Sequence, residues 1–266
     1  MKPWYYFVFI LILSCSDTKK VVKVTTKIPN NVSLNGKLFT ALFQQRAAEY
    51  RALCLQGYNI ARLSINNYTP KTNFPKAIIT DIDETILDNS PYAVQQAYNG
   101  KEYDAPSWYN WTSKASADTM PGAASFLAFV ASKNVEVFYV TNRLDNETTS
   151  TLKNLQNFNL PNADEAHFFP KTNTSSKEAR RNKILQTHEV ILLMGDNLAD
   201  LHILFDKKTE QERKTNVDVL SAEFGSRYIV FPNANYGDWE SSLYKYNYTL
   251  TQAQKDSIIK LNLRIK

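Results

Sequence analysis

The sequence predicts an α/β fold: a parallel sheet with helices on both faces and a small, mainly helical cap inserted after its first strand. Three observations predict it. Segments 77–82, 135–140, 190–194 and 228–231 are short and almost wholly apolar, as strands covered on both faces must be. Helix-patterned stretches at 122–133, 147–158 and 176–187 alternate with them. Residues 86–121, between the first two strands, are rich in aromatics and far longer than a crossover needs, which marks an insertion over one edge of the sheet.

The chain opens differently. Met1 and Lys2 give a short positive start, residues 4–13 are almost entirely apolar, and Ser14-Cys15 follows. That run is too short to span a bilayer but fits the core of a signal peptide. Residues 11–15, Leu-Ile-Leu-Ser-Cys, resemble a bacterial lipobox. We therefore expect 1–14 to be a lipoprotein signal peptide and Cys15 the lipidated first residue of the mature chain. Residues 15–37 are polar with Lys and Thr and read as a tether. The expected location is the bacterial cell envelope, lipid-anchored, on the outer membrane facing the periplasm or the surface. Apolar spacing at Leu38, Leu42, Tyr50, Leu53, Cys54, Tyr58 and Ala61 predicts a helix over 38–65, ended by Pro70 and Pro75. Cys54 reads as a small buried apolar residue.

Composition narrows the partners. The 266 residues carry 31 basic and 26 acidic side chains, a formal charge of +5. No basic run is long enough to suggest binding to a nucleic-acid polymer.

Three strands run straight into polar clusters at the sheet's carboxyl edge, where ligands of open parallel sheets bind. Asp81-Ile-Asp83-Glu-Thr85 follows the first, and alternation turns Asp81 and Asp83 the same way. Two neighbouring carboxylates need a cation or a proton to separate their charges. A calcium loop is excluded: its sixth and twelfth positions require Gly and Glu, and Ile86 and Tyr92 stand there. Thr141-Asn142-Arg143 follows the second strand. Its hydroxyl and free amides can hold phosphate oxygens, although such tripeptides also cap helices. Ser175-Ser-Lys177 opens a helix, and a lysine there can neutralise a phosphate and a carboxylate together; Lys171 competes for that role. Gly195-Asp196-Asn-Leu-Ala-Asp200 follows the strand 190–194, and its hard oxygen ligands suit Mg2+. Asp200 could bind directly, bind through water, or orient Lys177. A zinc-protease reading of His188-Glu189 fails, because Leu192 occupies the place of the second histidine.

In this order the motifs resemble the haloacid-dehalogenase (HAD) superfamily. Residues 81–89 (Asp-Ile-Asp-Glu-Thr-Ile-Leu-Asp-Asn), 139–143 (Tyr-Val-Thr-Asn-Arg), 176–181 (Ser-Lys-Glu-Ala-Arg-Arg) and 195–200 are similar to the class C acid phosphatases. Among these the chain is most similar to the lipoprotein e(P4) family of secreted bacterial 5′-nucleotidases. Residues 231–240 resemble that family's late segment, while Ala179 replaces the Pro of many members. The resemblance runs from about Leu38 to Trp239. It implies a HAD-like Rossmannoid phosphatase domain over 38–266, with 86–121 as its cap, and Mg2+-dependent hydrolysis of small phosphomonoesters. Asp81 would attack phosphorus and form an aspartyl-phosphate. Asp83 would protonate the leaving oxygen and then activate water. The Asp81 carboxylate, the Asp83 carbonyl and Asp196 would hold Mg2+. Thr141 and Lys177 would hold the phosphoryl oxygens, with Asn142 and Arg143 as further substrate contacts. Asp83 separates the chain from relatives: dehalogenases lack this second acid, and ion-pumping ATPases have Thr there.

Substrate choice rests on softer features. Trp108, Trp111, Tyr236 and Trp239 could stack on a nucleobase, and the resemblance points to nucleoside 5′-monophosphates; as an alternative, these rings are core of the cap and its seam. Two competing readings are a broad phosphatase indifferent to the base, and a non-catalytic ligand-binding lipoprotein on the same scaffold. All four motifs are intact, which opposes the second. A homodimer is a further expectation from the resemblance.

Overall fold

A computed structural model describes residues 31–265. One sheet contains β1 (Lys76–Thr80), β4 (Glu136–Leu144), β5 (Phe168–Lys171), β6 (Glu189–Gly195) and β7 (Tyr228–Val230), in the order β5-β4-β1-β6-β7. All its pairings are parallel. A short antiparallel ribbon joins β2 (Leu87–Asp88) to β3 (Asp118–Thr119). The helices are α1 (Val32–Arg46), α2 (Ala48–Asn67), α3 (Ser90–Tyr98), α4 (Ala105–Thr112), α5 (Ala123–Ser132), α6 (Thr148–Asn157), α7 (Glu178–Leu185), α8 (Glu210–Val219), α9 (Asp238–Leu243) and α10 (Gln252–Asn262).

Strand alternation divides the core between the two faces. Ile78, Val137, Tyr139, Leu192 and Met194 pack with Tyr58, Phe126, Leu127 and Val130 from α2 and α5. Ala77, Ile79, Phe138, Val140 and Leu193 pack on the other side with Ile184 of α7 and Leu201. Every residue of β6 is buried. The expected α/β sandwich is therefore what forms. From β1 the chain adds β4 and β5 on one side and returns to add β6 and β7 on the other. Reversal of strand order at β1 opens a crevice at the carboxyl ends, where the acidic motifs lie.

Several expectations need correction. The helix over 38–65 is two helices, broken at Ala47, whose ψ of 130° is extended. Residues 32–37, expected in the tether, belong to α1, where Ser33 and Leu34 are buried. The break changes the helical phase, so Leu42 and Leu53 are exposed while Tyr50, Cys54, Tyr58 and Ala61 are buried. The second strand runs on through Thr141-Asn142-Arg143 to Leu144. Strand β5 escapes a pattern reading because it is short and contains Pro170, which only an edge strand tolerates well. The signal peptide, Cys15 and tether residues 15–30 lie outside the described residues. No described helix is long and apolar enough to cross a membrane.

The β2–β3 ribbon pinches the ends of the aromatic segment together, and α3 and α4 fill the space between. Each of these helices begins with Pro in its first turn, where the missing N–H costs nothing. Asp104 caps α4 by accepting from Ser107 N at 3.1 Å.

Candidate active site

Asp81 leaves the end of β1, and its backbone N–H donates to Met194 O on β6 at 2.9 Å. That bond sets the first acidic motif beside the fourth. One carboxylate oxygen from each of Asp81, Asp196 and Asp200 lies within 4.8 Å of the other two. Lys177, at the N-terminus of α7, donates to Asp81 and stands 2.7 Å from Asp200 Oδ1. Asn233 Nδ2 donates to Asp196 Oδ2 at 2.7 Å, and Thr85 Oγ1 to Asp196 Oδ1 at 3.4 Å.

Backbone geometry brings Asp200 inward. Its carboxylate accepts from Asn197 N at 3.0 Å. A Cβ on Gly195 would lie 2.8 Å from Asp200 Cγ, so glycine there makes room for the acid. Two buried arginines of α7 bolt the motif loops together. Arg181 Nη1 donates to the carbonyls of Ala199 and Asp200, both at 2.8 Å. Arg180 donates to the Thr141 carbonyl and to Asn142 Oδ1, the latter at 2.9 Å. Neither arginine had a role in the sequence reading, although both stand beside Lys177.

The buried carboxylates of Asp81 and Asp200 share one lysine, with half-buried Asp196 beside them, and the electrostatics follow. Burial pushes Asp81 up to about 7, with Asp200 and Asp83 adding to the rise and Lys177 opposing it. Burial and the charges of Asp200 and Asp81 raise Asp196 well above the usual carboxylate range. A divalent cation would relieve this repulsion, and carboxylate oxygens are the hard donors that Mg2+ takes. The donor set fits such an ion.

Asp83 is arranged differently. Its carboxylate lies apart from that trio and is bound by Arg143 and Asn89. Arg143, expected to touch substrate, is only 1% exposed, with Nη2 2.8 Å from Asp83 Oδ1. Its donors are taken up by Asp83 and Thr151, which satisfies so polar a residue when it is buried. Thr141 is fully buried and its Oγ1 accepts from Arg143 N at 3.1 Å. Glu84, with φ of 55°, accepts from Asn89 N at 2.8 Å and from the Tyr236 hydroxyl. Burial and the neighbouring Asp83 push Glu84 up to about 8.

Most of these groups line a cleft of about 470 Å3, but Thr141, expected to hold phosphoryl oxygens, is buried behind it. Asp81, Asp83, Lys177, Asp196 and Asp200 lie in it with Asn142 and Arg143, and Lys171 lines it without meeting Asp81 as Lys177 does. Tyr92, Tyr103 and Trp108 from residues 86–121 line the same cleft, as do Tyr236 and Tyr248. Trp108 packs edge-on against Tyr92 at 5.0 Å between centroids. Two of the four nominated aromatics are elsewhere. Trp111 packs against the main core and donates to Asn89 Oδ1 at 2.8 Å. Trp239 lines a neighbouring groove beside α1 and α8, with its Nε1 on the Tyr236 carbonyl at 3.1 Å. Sequence reasoning gave no role to Asn89, Glu84, Asn233 and Tyr103. Signals were available: Glu84 and Asn89 lie in the motif 81–89, Tyr103 in the aromatic insertion and Asn233 in the late segment 231–240.

The chain is similar to known proteins. Residues 11–239 match the family described as HAD superfamily, subfamily IIIB (acid phosphatase). The class C acid phosphatase from Bacillus anthracis is 39% identical, with a TM-score of 0.83 over 88% of this chain and 99% of that one. A structure of the Bacillus anthracis class C acid phosphatase with tungstate bound gives 38% identity and a TM-score of 0.83, over 88% and 98% of the two chains. Acid phosphatase 1 of Solanum lycopersicum is 26% identical over 132 residues, 46% of this chain. The chain spans about half the length, 51%, of that relative.

Proposed function

The chain belongs to the subfamily IIIB acid phosphatases of the HAD superfamily, and from that premise we propose a Mg2+-dependent hydrolysis of phosphomonoesters, nucleoside 5′-monophosphates foremost, through an aspartyl-phosphate on Asp81. The observation that carries this reading is the meeting of Asp81, Asp196, Asp200 and Lys177 at the carboxyl ends of β1 and β6. Asp81 supplies the nucleophilic oxygen. Lys177, buried and charged, draws the phosphoryl oxygens toward Asp81, and Asn142 offers the polar edge of β4 to the cleft. Asp83 gives its proton to the leaving oxygen and then takes one from the attacking water. Asp81 and Asp196, with the Asp83 carbonyl, would hold Mg2+, whose positive charge offsets that of the phosphoryl group. Asp200 orients Lys177.

Tungstate, bound in the Bacillus anthracis relative, is a tetrahedral oxyanion like phosphate, which supports a ligand of that shape here. Residues 86–121 act as a cap in this reading, since Tyr92, Tyr103 and Trp108 come from them to the cleft. Among the rings that line the cleft, Trp108, Tyr103 and Tyr236 are the candidates for a nucleobase. Lipidation at Cys15 would hold the enzyme at the envelope membrane, and loss of acyl labelling in Cys15→Ser checks this.

Phosphate release from AMP by protein lacking residues 1–15 tests the function. Release should require Mg2+ and stop with excess chelator. Equal rates on AMP and on a simple aryl phosphate would leave a phosphatase indifferent to the base. No release by folded protein would favour a binding lipoprotein.

A further inference from the structure

The two oxygens of Asp83 are held unequally. Arg143 Nη2 and Nε donate to Oδ1 at 2.8 and 3.0 Å, and Asn89 Nδ2 donates to the same atom at 2.8 Å. Oδ2 has one longer contact, from Arg143 Nε at 3.3 Å. Three N–H groups aimed at Oδ1 leave no acceptor for a proton placed there. The Asn89 amide has one permitted orientation. The indole Nε1–H of Trp111 can only donate, and it meets Asn89 Oδ1 at 2.8 Å. The amide NH2 must therefore face Asp83. Asn89 is buried, and Trp111 is packed against the main core. On the other flank, Arg143 Nη1 is anchored on Thr151 Oγ1 at 3.2 Å.

We propose that Trp111, acting through Asn89, and Arg143 are positioning residues that confine the transferable proton of Asp83 to Oδ2. The proposal rests on the reading of Asp83 as proton donor. In the step concerned, an Asp81 oxygen forms its bond to phosphorus as the bond from phosphorus to the leaving oxygen breaks. The leaving oxygen keeps that electron pair and takes the proton from Asp83 Oδ2. Asp83 is left a carboxylate, with the new negative charge shared by an Oδ1 that already accepts three N–H bonds. Asn89 and Trp111 belong to the inserted segment and Arg143 to β4, so insertion and sheet fix the donor jointly.

Leaving-group dependence separates this role from a general packing role. The alkoxide of an alkyl phosphate is a poor leaving group unless it is protonated, whereas dinitrophenolate departs without a proton. Values of kcat/KM report steps up to departure of the leaving group and are blind to hydrolysis of the phosphoenzyme. They would be measured on both substrates for the wild type, Trp111→Phe, Asn89→Ala and Asp83→Asn. Trp111→Phe keeps the ring and removes the donor; Asn89→Ala removes the Asp83 contact and leaves the indole in place. Both should lose about ten-fold on the alkyl phosphate and less than about two-fold on dinitrophenyl phosphate. Equal losses on the two substrates, or no loss, while Asp83→Asn is selectively impaired on the alkyl ester, would overturn the positioning role. If Asp83→Asn itself lost no selectivity, the donor assignment would fall and this inference with it.

Discussion

Lys177 and Asp200 form a buried ion pair, 2.7 Å from Nζ to Oδ1, and the same ammonium reaches Asp81. Among the described residues, this lysine is the cation that pairs with these acids, so removing it leaves buried like charges without that counterweight. Breaking a buried pair by deleting one partner costs about 3–5 kcal/mol. Lys177→Met should lower stability by about that amount in urea unfolding with chelator present. A ligand that binds only the folded state stabilises it, so added Mg2+ should recover part of the loss. Turnover should stay lost under both conditions.

Gly195 offers a sharper steric test. An added Cβ would stand 2.8 Å from Asp200 Cγ, and the Asn197 amide holds Asp200 in place. Gly195→Ala should destabilise the fold by about 1–3 kcal/mol and displace Asp200 from Lys177. Thermal unfolding measures the first effect, and phosphate release the second.

The sheet and the acidic motifs were legible because each is local: an apolar run ending in carboxylates is visible within ten residues of sequence. What was hidden depends on partners distant in the chain. Arg143 looks like a substrate contact until Asp83 is found against it across the sheet. Trp108 and Trp111 sit three residues apart on α4, yet one lines the cleft and the other reaches Asn89. No local pattern separates those fates. Helices α8 and α10 escaped notice because only Arg213 of α8, and no residue of α10, is buried; a helix without an apolar stripe has no period to read.

The aromatic residues make opposed predictions. Trp108 lines the cleft and Trp239 does not. Stacking on a base is worth about 1–3 kcal/mol, so Trp108→Ala should raise KM for AMP roughly ten-fold or more and hardly change KM for a small alkyl phosphate. Trp239→Ala should leave both within about two-fold, since no contact worth that energy is removed. Steady-state kinetics on the two substrates decide the matter.

A pH dependence arises at the opposite end of the sheet. His167 lies between Asp164 and Glu136, at 2.7 and 3.0 Å. Burial opposes charging of the ring, but the two carboxylates outweigh it and hold the pKa above 6.5. A histidine raised on folding stabilises fully below its unfolded pKa, and that contribution is lost as pH rises through the folded value. The stability difference between wild type and His167→Gln should therefore be largest near pH 6 and shrink above 7. Urea unfolding across that range would show it; a difference that grows with pH would refute the assignment.

If Asp81 carries the phosphoryl group during turnover, acid-quenched mass mapping of the protein during steady-state hydrolysis of an aryl phosphate will find it there. One phosphoryl group is expected on the peptide containing Asp81, absent when substrate is withheld and absent in Asp81→Asn. A phosphoryl group on a different peptide, or wild-type turnover by Asp81→Asn, would contradict it.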